Sequence, residues 1–210
     1  MKNLILVGGG GHCKSVIDVA ESIGYRVLGI LDLISKKGDK VLNYKVIGND
    51  DDISKYVDKA EFIVTVGQIK DPSLRQKLQK KIVLSGGKLA TLVASTAYVS
   101  KYATIGAGTV IMHKAFVNAD AKIGAGCIIN TLANIEHGVR IGSFTHISTG
   151  VMVNGDCIIG DNVFLGSQSV LLNGISICDN SVIAAGSFVR KNITKSGLYA
   201  GNPAILMKKN

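Results

Sequence analysis

Four histidines, His12, His113, His137 and His146, are the side chains in this sequence best suited to moving a proton at neutral pH, because an imidazole titrates near ~6.5. His12 follows Gly8-Gly9-Gly10-Gly11, a glycine turn placed after the apolar run Leu4 to Val7. Backbone N–H groups at the start of a helix after such a turn can hold a phosphate. The loop lacks the third glycine of the GxGxxG fingerprint, and the ~80 residues that share its pattern are too few for a full dinucleotide fold. His137 stands in Ile135-Glu136-His137-Gly138, and His146 closes Phe144-Thr145-His146. Cys13, Cys127, Cys157 and Cys178 make no CxxC pair and no metal-ligand spacing, so they read as buried free thiols, and a thiol nucleophile is not expected.

These residues must be positioned by two different kinds of chain. The first half alternates strands and helices. Leu4 to Val7 is a strand, and Val16, Ile17, Val19, Ala20 and Ile23 recur at helical spacing until Gly24. Tyr25 to Leu31 is a second strand closed by Asp32, Lys36 to Lys40 a charged loop, and Val46 to Gly48 a short strand. Asp50-Asp51-Asp52 caps a helix through Val57, and Phe62 to Val66 is the next strand. A helix with Pro72 in its first turn carries Leu74, Leu78, Ile82 and Val83 as its apolar side, and a last strand runs near Leu89 to Val93. Such alternation predicts a parallel sheet with helices on its faces.

The second half obeys a six-residue rule. Stepping by six from Val93 to Val189 meets only Ile, Leu or Val at 17 positions, although these types make up 63 of the 210 residues. Chance would give that run roughly once in 10⁹ trials, so the period is structural. Small residues such as Ala97, Thr109, Cys127, Thr145 and Ser181 come two positions earlier. One short strand and one turn per hexad stack only as a β-solenoid. Gly106, Gly124, Gly142 and Gly160 recur every eighteen residues, so three hexads make a coil with three faces and a glycine-tolerant corner. Face A carries Ile105, Ile123 and Ile141, face B Ile111, Ile129 and Ile147, and face C Val117, Ile135 and Val153. This phase puts His137 at the corner after face C and His146 outward on face B.

With these motifs in hand, the chain resembles the hexapeptide-repeat acyltransferases, whose left-handed parallel β-helix forms trimers and binds acetyl-coenzyme A between subunits. The glycine turn with His12, Ile135-Glu136-His137, Phe144-Thr145-His146 and Ala200-Gly201-Asn202-Pro203-Ala204 look like the bacterial sugar acetyltransferases of surface-glycan biosynthesis. That group includes N-acetyltransferases for nucleotide-linked 4-amino sugars and sialic-acid O-acetyltransferases. The expected fold is a small Rossmann-like α/β domain over residues 1–88, followed by an all-β left-handed β-helix with a C-terminal tail over 89–210.

The resemblance implies roles residue by residue. His137 is the expected general base for an amine or hydroxyl attacking the thioester, by direct transfer without an acyl-enzyme. His146, Ser167 and Gly186 are expected to bind acetyl-coenzyme A, with Lys191, Lys195, Lys208 and Lys209 as candidates for its phosphates. Gly10, Gly11 and His12 are expected at the phosphates or sugar of a nucleotide sugar, Asp32 at its base or ribose, and Gly67 where backbone approaches closely. A backbone N–H near Gly155 would stabilise the oxyanion. One departure stands out: the N-acetyltransferases follow the histidine with an acidic residue, whereas Gly138 stands here. Glu136 is the candidate replacement. In its glycine after the histidine, and in Ile147-Ser148-Thr149 and Asn154-Gly155-Asp156, the chain is similar to the sialic-acid enzymes.

N-acetylation of a nucleotide-linked 4-amino sugar is the first expectation and O-acetylation of sialic acid the second; a nucleotide-sugar-binding trimeric scaffold is the non-enzymatic alternative. No metal is expected, because the histidines of the repeat lie at phases unlike the zinc ligands of γ-type carbonic anhydrases. A net charge of +9 favours anionic partners. The 24 Lys and Arg are scattered and aromatic platforms are few, so phosphate-bearing small molecules are favoured over nucleic acid. Apolar runs are too short for a membrane span or a secretory leader, and the expected location is the cytoplasm.

Overall fold

The structure, a computed structural model, describes residues 1–209, with the side chains of Lys208 and Lys209 outside that description. Its first sheet contains β1 (Asn3–Val7), β2 (Arg26–Leu31), β3 (Lys40–Val41), β4 (Tyr44–Gly48), β5 (Glu61–Val64) and β6 (Lys88–Leu89) in the order β3-β4-β2-β1-β5-β6. Every pairing is parallel except the β3-β4 hairpin, in which the strand expected at Val46 to Gly48 starts earlier, at Tyr44, and pairs with a short strand, Lys40–Val41, at the end of the expected loop. Helices α1 (Gly11–Ser22) and α2 (Ser73–Leu84) flank the sheet. The Asp50–Tyr56 segment is a 3-10 helix rather than an α-helix, closed by a capping box between Asn49 and Asp52.

The expected strand near 89–93 is two strands. β6 ends the first sheet, while Leu92–Val93 opens face B of a prism whose strands are two residues long. Faces A, B and C are separate ladders in which the two-residue strands pair in parallel eighteen residues apart, as in Val110 with Ile128 and Ile128 with His146. Face B is extended by Gly197–Ala200 and its antiparallel partner Ile205–Lys209. The six-period aliphatics fill the interior, and from Ile111 to Val189 they are buried. Small inward residues cap carbonyls between coils: Thr109 Oγ1 donates to Gly124 O at 2.9 Å, Thr145 Oγ1 to Gly160 O at 2.8 Å, and Cys127 Sγ to Gly142 O at 3.1 Å. Burial pushes the Cys127 thiol up to about 11 and the Cys157 thiol upward, as suits structural thiols.

The eighteen-residue glycines serve a different purpose from the one their spacing suggests. A Cβ on Gly106, Gly124 or Gly142 would lie 2.5–2.8 Å from backbone of the next coil, so glycine is required there by coil-to-coil approach. The left-handed backbone recurs elsewhere, at every sixth residue from Gly108 to Gly186, including Asp120, Gly138, Asp156 and Gln168. One residue per corner bears that conformation, which Gly, Asn and Asp adopt most readily.

Face B lies under the first domain. Its outward residues Val110 and Ile128 are 1% exposed and share a core with Cys13, Val16 and Val19 of α1. Helix α2 turns Arg75, Leu78, Gln79 and Ile82 inward, whereas Leu74 and Val83, expected on the apolar side, are exposed. Polar side chains win this face because it meets backbone carbonyls: Arg75 donates to Val66 O and, at 2.8 Å, to Gly126 O, while Gln79 Nε2 donates to Gly108 O at 3.3 Å. Gln76 Nε2 adds a 2.8 Å bond to Asn162 Oδ1.

Candidate active site

His137 sits in the turn between Asn134–Ile135 and Arg140–Ile141, on the prism edge between faces C and A. Its side chain is 62% exposed. The ring lies across Gly155, one coil on: a Cβ there would stand 2.6 Å from Cε1 and 2.7 Å from Nε2. Among the described residues the Gly155 N–H makes no hydrogen bond within the chain. Glu136 does not reach the imidazole. Its Oε2 accepts from Asn118 Nδ2 at 2.7 Å and its Oε1 from Asn134 Nδ2 at 3.1 Å, and Asn134 and Asn118 hold the carboxyl below its usual range. The carboxylate facing His137 is Asp156, with Oδ1 3.9 Å from Nδ1, a residue that the sequence reading did not assign. Lattice spacing contained the signal, since 156 lies eighteen beyond 138.

The other histidines are committed elsewhere. His146 points outward from face B, but into the first domain, where Nδ1 donates to Gln68 O at 2.7 Å and Nε2 accepts from Asn130 Nδ2 at 3.3 Å. Phe164 packs edge-on against the ring, 5.2 Å between centroids. Burial lowers this imidazole to about 4, against the Gln68 contact and with help from Arg75. His12 is lowered to about 3 by burial, then by Arg75 and His146. Its Nε2 and the Arg75 Nε have no hydrogen-bond partner among the described residues. Two residues expected at separate ligand sites, His12 and His146, thus share one interdomain cluster with Arg75, which burial lowers to about 10. His113 ties the prism to α1, with Nδ1 2.8 Å from Thr96 Oγ1 and Nε2 3.1 Å from Asp18 Oδ2.

At the carboxyl end of the first sheet a cleft of about 290 Å³ is lined by Gly8, Leu31, Asp32, Leu33, Ile34, Asn49, Asp50, Val66 and Leu74 among others. Ligands of open parallel sheets bind at this end of the strands. Gly8 has φ +109, and a Cβ there would be 2.7 Å from Val66; a Cβ on Gly9 would be 2.7 Å from Asp32 Oδ2. Gly10 and Gly11 are exposed at the start of α1, and Gly67 lies against His12. Burial opposes ionisation of Asp32, but Lys36 and the N–H groups of Leu33 and Gly9 hold it below the usual carboxylate range.

Ser167 and Gly186 stack on the edge between faces B and C, where Gly186 N donates to Ser167 O at 2.9 Å and Ser167 Oγ lies 2.9 Å from Ser148 Oγ. Within one chain that edge is not the edge of His137. Lys191 and Lys195 are exposed, whereas the side chains of Lys208 and Lys209 lie outside the described residues. No group of three or more His, Cys, Asp or Glu among the described residues is placed to hold a metal ion, and no described helix is long and apolar enough to cross a membrane.

A parallel nucleotide-type domain seated on a prism of hexapeptide coils, with one open histidine at a prism edge, defines the class: a two-domain hexapeptide-repeat transferase. Residues 3–82 match the PglD N-terminal domain family, and residues 157–191 match the hexapeptide repeat of succinyl-transferase. The acetyltransferase domain of PglB from Neisseria gonorrhoeae is 27% identical, with a TM-score of 0.91 over 99% of this chain and 100% of that one. PerB from Caulobacter crescentus, solved with CoA and GDP-perosamine, is 30% identical, with a TM-score of 0.90 over 98% and 97%. The curated chloramphenicol acetyltransferase of Agrobacterium fabrum is 32% identical over 66 residues, 31% of this chain and 32% of its own, so the match spans about a third of that relative. The chain belongs to the left-handed β-helix, hexapeptide-repeat sugar acetyltransferases of bacterial surface-glycan biosynthesis.

Proposed function

We propose that this protein transfers an acetyl group from acetyl-coenzyme A to the amine of a nucleotide-linked 4-amino sugar, with His137 as general base. The observation that carries the reading is the state of the histidines, all four of which lie among the described residues. His137 alone presents an open ring, while His12, His113 and His146 are buried or paired. The acceptor nitrogen attacks the thioester carbonyl, forming C–N. His137 Nε2 takes the proton that nitrogen loses, and the C–S bond breaks as the oxyanion collapses. The proton then passes to the departing thiolate. The Gly155 N–H is the candidate oxyanion donor.

The nucleotide would occupy the cleft at Asp32, with its phosphates at the Gly10–Gly11 end of α1. An amine acceptor rather than sialic acid is supported by PerB, solved with CoA and GDP-perosamine, and by the similar structure of a mutant of a GDP-perosamine N-acetyltransferase from the same organism. Acetyl-coenzyme A is supported by the complex of the gonococcal domain with that molecule. Of the three residues expected to bind it, Ser167 and Gly186 occupy the B/C edge and His146 faces the first domain from face B, while His137 occupies the C/A edge.

Face C, between those edges, presents exposed Tyr98, Phe116 and Met152 outward, with Tyr98 and Phe116 stacked at 4.9 Å. Three prisms with face C turned to a common axis set the B/C edge of one beside the C/A edge of the next, which is why a homotrimer with sites between subunits belongs to the proposal. Four free thiols fit a reducing compartment such as the cytoplasm.

The test is incubation with acetyl-coenzyme A and a panel of nucleotide-linked 4-amino sugars beside free and CMP-linked sialic acid, read by mass. Acetylation of an amino sugar that disappears in His137→Ala is expected. Acetylation of sialic acid alone, or full activity in His137→Ala, overturns the reading.

A further inference from the structure

We propose that Asp156 is the positioning residue for His137, a carboxylate delivered from the next coil of the prism to hold the imidazole with Nε2 free. The inference rests on His137 being the base. Its geometric root is the vertical stacking of corners. Gly138 and Asp156, eighteen residues apart, occupy the same left-handed corner position in successive coils, with φ +68 and +60. A Cβ on Gly138 would fall 2.0 Å from Asp156 Oδ1. The carboxylate therefore fills the volume that a side chain at position 138 would need.

The backbone fixes this arrangement, because Asp156 N donates to His137 O at 2.9 Å. From there Oδ1 stands 3.9 Å from His137 Nδ1, and no other side-chain partner of Asp156 is found among the described residues. Glu136, by contrast, has both oxygens engaged by asparagine amides. Gly155 supplies the floor on which the ring lies. A side-chain rotation of about 1 Å closes the gap to a hydrogen bond, as happens when a substrate displaces water from a catalytic pair.

The chemical consequence concerns one proton. An acceptor at Nδ1 keeps Nδ1–H in place, so the lone pair at Nε2 faces the attacking group. When Nε2 takes its proton, the facing carboxylate stabilises the resulting imidazolium.

Asp156→Asn, Asp156→Gly and the relocation variant Gly138→Asp/Asp156→Gly separate this role from a structural one. Asn and Gly accept a left-handed corner, and Asp at 138 fits once position 156 has no side chain. Both single variants are expected to lose ~100-fold in kcat with KM for both substrates within about twofold, and relocation to recover at least ~10-fold of that loss. A second reading needs no substrate: long-range ¹H–¹⁵N spectra are expected to show His137 as the Nδ1–H tautomer in the wild type and as a mixture in Asp156→Gly. Unchanged kcat in Asp156→Gly, no recovery on relocation, or an unchanged tautomer overturns the inference. Failure of the parent reading looks different, as a wild type inert toward every acceptor or a fully active His137→Ala, and the tautomer measurement then still decides the pairing.

Discussion

His146 and Gln68 hold each other across the domain boundary. The imidazole Nδ1 donates to the Gln68 carbonyl at 2.7 Å, while Gln68 Nε2 donates to the Phe144 carbonyl at 2.8 Å. A carbonyl only accepts, so the ring proton is on Nδ1, and Nε2 is left to accept from Asn130. Protonating Nε2 would turn that acceptor into a second donor facing an amide N–H, beside the Arg75 charge. The neutral histidine is therefore part of the fold, and so is the neutral His12 beside it.

Acid should loosen the domain junction well before it protonates ordinary carboxylates. His146 and His12 titrate near 4 and 3 in the folded chain and near ~6.5 when unfolded. Below ~6.5 the unfolded state binds more protons, so stability is full above that value and falls as pH drops toward the folded values. At pH 5 each histidine costs roughly 2 kcal/mol relative to pH 7. Urea unfolding at both pH values measures this, and His146→Asn combined with His12→Asn should flatten the difference. A pH-independent midpoint in the parent protein would contradict it.

Arg75 is 1% exposed and meets carbonyl oxygens rather than a carboxylate. Arg75→Met keeps bulk but leaves the Val66 and Gly126 carbonyls unpartnered, for an expected loss of roughly 2–4 kcal/mol at neutral pH. It also removes a charge that lowers both neighbouring histidines. The acid sensitivity between pH 7 and 5 should shrink in the same variant. If unfolding shows the stability loss with the full pH dependence retained, Arg75 acts on the fold but not on the imidazoles.

The prism was legible because one physical rule repeats. Six-residue spacing of Ile, Leu and Val states which side faces in, and the structure fills its interior with those residues. The polar buttress of Arg75, Gln76 and Gln79 was not legible, since the prism groups that recruit it are distant in sequence: Gly126 O is 51 residues from Arg75, Asn162 Oδ1 is 86 from Gln76, and Gly108 O is 29 from Gln79. His137 stood out by its motif, but the partner of its ring did not. Sequence neighbours drew attention to Glu136, whereas in a solenoid the side-chain neighbour is one coil away, at Asp156.

The two classes of glycine in the prism should answer differently to alanine. At Gly124 a Cβ would meet Ser143 N at 2.7 Å, and backbone cannot step aside without opening the ladder. Gly124→Ala is expected to cost roughly 2–4 kcal/mol. Gly174 has φ +70 with nothing within 4 Å of a built Cβ, so Gly174→Ala meets only the left-handed backbone penalty of about 1 kcal/mol. Thermal or urea unfolding of the pair decides the matter, and an equal or reversed ranking would refute the packing role given to Gly124.

Gly155 tests the seat of the proposed base without touching the base itself. Its backbone is outside the left-handed region, so alanine is conformationally acceptable there, and its Cβ would press on the end of a solvent-exposed side chain rather than on backbone. Stability should change by less than ~0.5 kcal/mol. The imidazole, however, must leave its place, because Cε1 and Nε2 lie 2.6 and 2.7 Å from that Cβ. A displacement of about 1 Å at a reacting group lowers turnover by ~100-fold. Gly155→Ala is thus expected to keep its unfolding midpoint and lose acetyl transfer. Retained transfer with an unchanged midpoint would show that the ring does not react from the position it occupies over Gly155.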